Sequence, residues 1–269
     1  MNKTRCGICP HECDIPEGKR GICTSRKNIG GEIIPEAYGK ITAIALDPIE
    51  KKPLRMFHPN AMILSVGSYG CNFHCGFCQN HEIAMPHGEI NTRRITPAEL
   101  AQLAREAVPQ GNIGVAYTYN EPLINYEFIH DCAREIRNAG LKNILVTNGY
   151  INEKPLESLL PHIDAMNIDL KSFTPDFYKK IGGDLETVKR TIKTAHKFCH
   201  IEITTLVIPN ENENDIEPIA QWLSAISPDI PLHISRFFPR NKYLHHEPTP
   251  QETLCELKRT AQKYLKNVF

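Results

Sequence analysis

From residue 61 onward, short apolar runs alternate with stretches whose apolar residues recur at helical spacing. Six runs read as strands: AMILSVG (61–67), IGVAYTY (113–119), KNILVT (142–147), DAMNIDL (164–170), IEITTLVI (201–208) and PLHISRF (231–237). Between them the spacing predicts helices, one beginning near Pro97 and others over about 122–139, 153–161, 184–198 and 213–227. The first carries three start signals, with Thr96 as N-cap, Pro97 at the first helical position and Glu99 in the first turn. Strand and helix alternating in this way predict an α/β chain of parallel strands joined by helical crossovers. About six such units suit an open, partial (β/α)6 TIM-like barrel, whose functional residues gather where the strands' C-terminal ends meet the following loops.

Residues 1–58 break the pattern, with two turn-rich cysteine segments, few helix signals and prolines at 10, 16, 35, 48 and 53. The expected organisation is a small cysteine-rich N-terminal module over 1–58, followed by the barrel and a C-terminal helix over 59–269. The histidine-rich NKYLHHEP (241–248) reads as a surface loop, and no repeat or low-complexity tract is present.

The chain has 269 residues and 41% hydrophobic content, sufficient for a full core. Lys+Arg and Asp+Glu both total 31, so no global basic excess points to nucleic acid as a partner. The start MNKTRCGICPHEC lacks a signal-peptide core, and no apolar run approaches a membrane span. The expected location is the cytoplasm. Ten cysteines there point to metal binding, because that compartment keeps thiols reduced.

Seven of the ten fall in two groups. GSYGCNFHCGFCQN places Cys71, Cys75 and Cys78 at Cys-x3-Cys-x2-Cys just after the first expected strand. Thiolates select iron–sulfur clusters or zinc, and a [4Fe–4S] cluster takes four ligands, so three cysteines leave one iron open for a reactant. The alternatives are a zinc site completed by His74 or His81, or chance spacing. Cys6, Cys9, Cys13 and Cys23 supply four thiolates, which suits a closed zinc site or a fully ligated auxiliary cluster. Such a site would fold a segment too small for its own core, and a cluster there would relay electrons. Cys132, Cys199 and Cys255 read as small buried apolar residues.

The expected strand tips carry further polar residues. Glu121 is either a site acid or a cap of the next helix, and Asn148-Gly149 is either a turn or a ligand contact. Asn167, Asp169 and Lys171 share one face of their strand, as a site or as a buried ion pair. His233 shares a face with Ser235 and Phe237, as a ligand contact or a hydrogen-bonded core histidine.

With Phe77 before its last cysteine, the Cys71/Cys75/Cys78 motif resembles that of the radical S-adenosylmethionine (SAM) superfamily. Together with CGICPHECDIPEGKRGIC, YTYNEP and HISRFFP, it resembles the pyruvate formate-lyase activating enzyme-like proteins, especially the AmmeMemoRadiSam subgroup. The resemblance implies a partial barrel of the radical SAM type, a [4Fe–4S] cluster on Cys71, Cys75 and Cys78, and SAM chelated to the open iron. Reductive cleavage of SAM would give methionine and a 5′-deoxyadenosyl radical. The SAM-binding residues expected on this reading are Phe77, Asn80, Glu121, Asn148, Asp169 and Lys171, with His233 added from its strand face. Tyr119 and Asn120 stand where the family's Gly-Gly-Glu segment has glycines, and Asn210 replaces the glycine of its Ile-Pro-Gly turn. The implied partners are a reductant such as flavodoxin or ferredoxin and either a glycyl radical enzyme, whose backbone glycine loses hydrogen, or a small-molecule substrate. A metal-binding electron-transfer protein without SAM chemistry is the reading from another class.

Overall fold

The computed structural model describes residues 2–269. Two hairpins open the chain, β1 (Lys3–Arg5) with β2 (Asp14–Pro16) and β3 (Arg26–Ile29) with β4 (Glu32–Pro35), both antiparallel. A short strand β5 (Lys40–Ile41) precedes β6 (Ala43–Pro48), β7 (Met62–Gly67), a short β8 (Arg93–Arg94) that pairs with β5, and β9 (Asn112–Tyr117). The series continues with β10 (Lys142–Thr147), β11 (Ala165–Asp169), β12 (His200–Val207) and β13 (Leu232–Arg236). The helices are α1 (His81–Ala84), α2 (Pro97–Glu106), α3 (Tyr126–Asn138), α4 (Glu153–Leu159), α5 (Pro175–Ile181), α6 (Leu185–Ala195), α7 (Ile216–Ser224) and α8 (Gln251–Ala261).

One seven-stranded sheet organises the molecule, in the order β13-β12-β11-β10-β9-β7-β6. Strands β7 and β9–β13 run parallel, each beside its predecessor in the chain, which is the progression of a partial barrel. The expected α/β partial barrel is therefore present. The seventh strand, β6, pairs antiparallel with β7 and lies within the stretch that the sequence assigned to an N-terminal module. It escaped the pattern because an edge strand is half-exposed and its apolar run is broken by Asp47 and Pro48. At the opposite edge, the Leu232 amide donates to the Asn267 carbonyl and the Phe269 amide to that of Leu232, so the C-terminal tail covers β13.

Local chemistry explains several element ends. Thr96 and Glu99 form a complete capping box on α2, and the Asp184 carboxylate accepts from the Glu186 and Thr187 amides at the start of α6. The expected helix over 122–139 begins as a 3-10 turn over Pro122–Asn125 and becomes regular at Tyr126. Helix α5 was not anticipated, and the stretch expected over 184–198 narrows to Leu185–Ala195. Gly114 is required where β9 meets β10, since a Cβ there would lie 1.9 Å from the Lys142 carbonyl oxygen. Among the described residues, no helix is long and apolar enough to cross a membrane.

The N-terminal hairpins are fastened to the barrel. Arg26 makes paired hydrogen bonds of 2.7 and 2.6 Å to Glu127 at the start of α3, and Cys9 packs within the main hydrophobic core.

Candidate functional site

The loop after β7 carries Cys71, Cys75 and Cys78 and is held from two sides. A Cβ on Gly70 (φ +92°) would lie 2.4 Å from the Cys23 carbonyl oxygen, so only glycine lets the loop press against the N-terminal segment. On the other side Gly76 lies under the Tyr243 ring, which a Cβ at this position would approach to 2.7 Å, and the Gly76 carbonyl accepts from the Lys242 amide. The expected surface loop 241–248 is thus partly a support for the cysteine loop, with Tyr243 buried and edge-on to Phe77.

All three cysteines line one cavity of about 470 Å³ at the C-terminal ends of the strands. Phe77, Asn80, Glu121, Asn148, Asp169 and Lys171 line it too, so six of the seven residues expected to bind SAM are brought together. Burial pushes all three thiol pKa values up, that of Cys75 to about 11, while Lys171 pulls the other way on Cys75 and Cys78. An electron-poor metal centre offsets such a penalty by binding the thiolate. The donor set therefore fits an iron–sulfur cluster: three soft ligands in one cavity, with a cation facing them.

Glu121 is fully engaged at the tip of β9. Its carboxylate accepts from the Thr147 hydroxyl (2.6 Å) and from the Asn148 (2.8 Å) and Leu123 (3.0 Å) amides. It is thus a helix cap and a cavity-wall residue at once. Burial raises its pKa to about 7 against the pull of those three donors. The Asn148 amide group donates to Asn72 Oδ1 at 2.9 Å and lies 3.7 Å from Cys71 Sγ, so Asn148 is both a turn residue and a neighbour of the thiol. Lys171 Nζ meets Asp169 Oδ2 at 2.7 Å, a half-buried ion pair on the cavity wall. Asn80 reaches across the mouth to donate to the Tyr119 carbonyl at 2.7 Å.

His233 is the exception. It points away from the cavity into a buried network, with Nε2 2.6 Å from Glu202 Oε2 and its ring stacked on Phe269. Period-two alternation gives a strand's faces but not which end of the barrel each residue reaches, and the cavity instead receives Ser235 and Arg236.

Several cavity residues were missed. Lys52 is buried, paired with Asp47 at 2.9 Å and placed over the Tyr119 ring, and it comes from the segment after β6. Thr204 and Leu206 follow from β12. Tyr119 and Asn210, which stand near or at positions where the family pattern has glycine, both adopt positive φ, +71° and +64°. At both positions a non-glycine residue holds the left-handed conformation that glycine adopts most cheaply.

Cys6, Cys9, Cys13 and Cys23 line a second, small pocket with Ile8, Ile15 and Ile124. Among the described residues, no three His, Cys, Asp or Glu side chains are arranged to hold a single metal ion. A cubane cluster has a different requirement, because each thiolate binds its own iron.

The profile of the Radical SAM superfamily matches residues 65–223, and the chain belongs to that superfamily. It is accordingly a radical SAM enzyme, with a [4Fe–4S] cluster and SAM as cofactors. Over 260 residues it is 44% identical to the uncharacterized protein MJ0808 of Methanocaldococcus jannaschii, covering 94% of this chain and 76% of that one. Over 214 residues it is 27% identical to a putative glycyl-radical enzyme activating enzyme of the same organism, covering 75% and 77%. Among solved structures, a domain of pyruvate-formate lyase-activating enzyme from Bacteroides vulgatus aligns with a TM-score of 0.50 at 18% identity, over 58% of this chain and 97% of that one. Streptococcus suis SuiB bound to S-adenosylmethionine aligns with a TM-score of 0.58 at 15% identity, over 75% of this chain and 48% of that one. These likenesses carry the fold.

Proposed function

We propose that Cys71, Cys75 and Cys78 hold the [4Fe–4S] cluster, and that the enzyme is of the glycyl-radical-activating type. The observation that carries the site assignment is the convergence of those thiols with Glu121, Asn148, Asp169 and Lys171 on one cavity wall. The activating role is supported by the similarity to a putative activating enzyme over three quarters of both chains.

A cluster held by Cys71, Cys75 and Cys78, with SAM bound beside it, would supply one-electron cleavage of a sulfonium carbon–sulfur bond. The protein's part is to bind, orient and shield. Lys171 presents a cation to the amino-acid end of SAM, where a carboxylate would meet it, and Asp169 holds that ammonium in place. Glu121 offers a buried carboxylate to an ammonium group, and a cation there would draw its raised pKa back down. Phe77, buried against Phe177 and Tyr243, keeps water from one side of the thiols. A substrate held beside this cavity would be placed to give up one hydrogen atom to that chemistry.

The role is tested by incubating cluster-loaded enzyme, SAM and reductant with a candidate glycyl radical enzyme and recording its electron paramagnetic resonance spectrum. A glycyl doublet on the partner is expected. Turnover of SAM coupled only to a small molecule, with no doublet on any candidate, would overturn the activating role and leave the radical SAM class intact.

A further inference from the structure

The two cysteine groups lie far apart in sequence, yet they abut in the fold. Cys23 contributes the carbonyl that Gly70 packs against, immediately before Cys71. Asn72, immediately after Cys71, is wholly buried between the groups. Its side-chain amide faces the Cys9 thiol, donates to the Tyr150 carbonyl at 2.8 Å and accepts from Asn148, whose amide nitrogen is 3.7 Å from Cys71 Sγ. His11, between Cys9 and Cys13, meets the Asn72 carbonyl at 2.8 Å. Both residues flanking Cys71 therefore touch the N-terminal quartet.

The quartet's own layout mirrors that of the cysteine loop. Three of its ligands fall within eight residues, Cys6-x2-Cys9-x3-Cys13, which is the spacing of Cys71-x3-Cys75-x2-Cys78 reversed. The four thiols line one small pocket. Four ligands leave no open iron, so such a centre exchanges electrons and binds no substrate. Cys6, Cys9 and Cys23 are buried, and the quartet comes nearest to solvent at the half-buried Cys13 and the exposed Ile22.

We infer that Cys6, Cys9, Cys13 and Cys23 hold a second, fully ligated [4Fe–4S] cluster that passes electrons to the cluster on Cys71, Cys75 and Cys78 across the Cys9–Asn72–Cys71 contact. The inference rests on the assignment of those three cysteines made above. One electron arrives from a low-potential one-electron carrier protein and reduces the quartet cluster. That cluster is reoxidised as it reduces the SAM-binding cluster, and no proton moves.

The full chain, purified without oxygen and reconstituted with iron and sulfide, should carry about eight irons, four for each cubane, and no stoichiometric zinc. The Cys71/Cys75/Cys78→Ala variant should keep about four irons and a reducible cluster signal that SAM does not alter. One zinc and no iron in that variant overturns the inference. Unchanged iron in that variant overturns instead the assignment of the open site, so the two failures are distinct. The relay is tested in wild type by freeze-quench electron paramagnetic resonance after mixing with a reduced carrier protein and SAM. The SAM-insensitive signal should rise first and decay as the SAM-sensitive one grows; the reverse order, or a quartet signal that never decays, overturns the relay.

Discussion

Replacing Glu202 by glutamine should destabilise the fold while leaving SAM chemistry alone. Each oxygen of this fully buried carboxylate accepts two hydrogen bonds. Oε2 faces the Arg55 amide (3.0 Å) and His233 Nε2 (2.6 Å), and Oε1 faces the Met56 amide (2.8 Å) and His200 Nε2 (2.9 Å). Burial alone would raise its pKa, but these donors overcome it and hold the value near 2, against an ordinary 4.5. A depression of that size corresponds to about 3 kcal/mol of stability at neutral pH. Because the folded-state pKa is the lower one, this contribution is present above about pH 4.5 and is lost as pH falls toward 2. Glutamine turns one oxygen into a donor facing two donors, for which the loss of hydrogen bonds to a charged group gives a similar cost of about 2–4 kcal/mol. Urea unfolding of wild type and Glu202→Gln from pH 7 down to pH 3 measures it. The stability difference should be largest at pH 7 and shrink on acidification, with the KM for SAM unchanged. Equal stabilities at pH 7, or an altered KM without a stability change, would refute the placement of Glu202 and His233 outside the site.

Lys171→Ala leaves Asp169 unpaired on the cavity wall, so the apparent affinity for SAM, measured by equilibrium dialysis on cluster-loaded protein, should fall about tenfold. Gly76→Ala drives a methyl into the Tyr243 ring and should cost about 1–3 kcal/mol, read by thermal denaturation, whereas the same substitution made in a Tyr243→Ala background should add little further cost. Thr147→Val removes a donor to Glu121; because that bond lowers the carboxyl pKa, the value should move further above 7, as followed by the infrared carboxyl band against pH.

The six parallel strands are legible in the sequence because strands buried on both faces are nearly continuous apolar runs. The cysteine loop, Glu121, Asn148, Asp169 and Lys171 stand out because each sits where such a run ends, at the one rim where a partial barrel collects its chemistry. For Glu121 and for the Asp169–Lys171 pair, the structure shows the plain structural role and the cavity position together, so the two readings did not exclude each other. What stayed hidden depends on tertiary contact. β6 is an edge strand with a broken pattern, and Lys52 reaches the cavity only because that strand joins the sheet. His233 was misplaced because alternation does not tell the top of the barrel from its interior. Asn72 carries no sequence signal of its own, and its place between Cys9 and Asn148 comes only from the fold.

The central claim is that the cavity of Cys71, Cys75 and Cys78 initiates radical chemistry. Oxygen-free protein, reconstituted with iron and sulfide and supplied with dithionite and SAM, should form 5′-deoxyadenosine, and Cys71/Cys75/Cys78→Ala should form none. No 5′-deoxyadenosine from cluster-loaded wild type, or equal amounts from both proteins, would contradict the account.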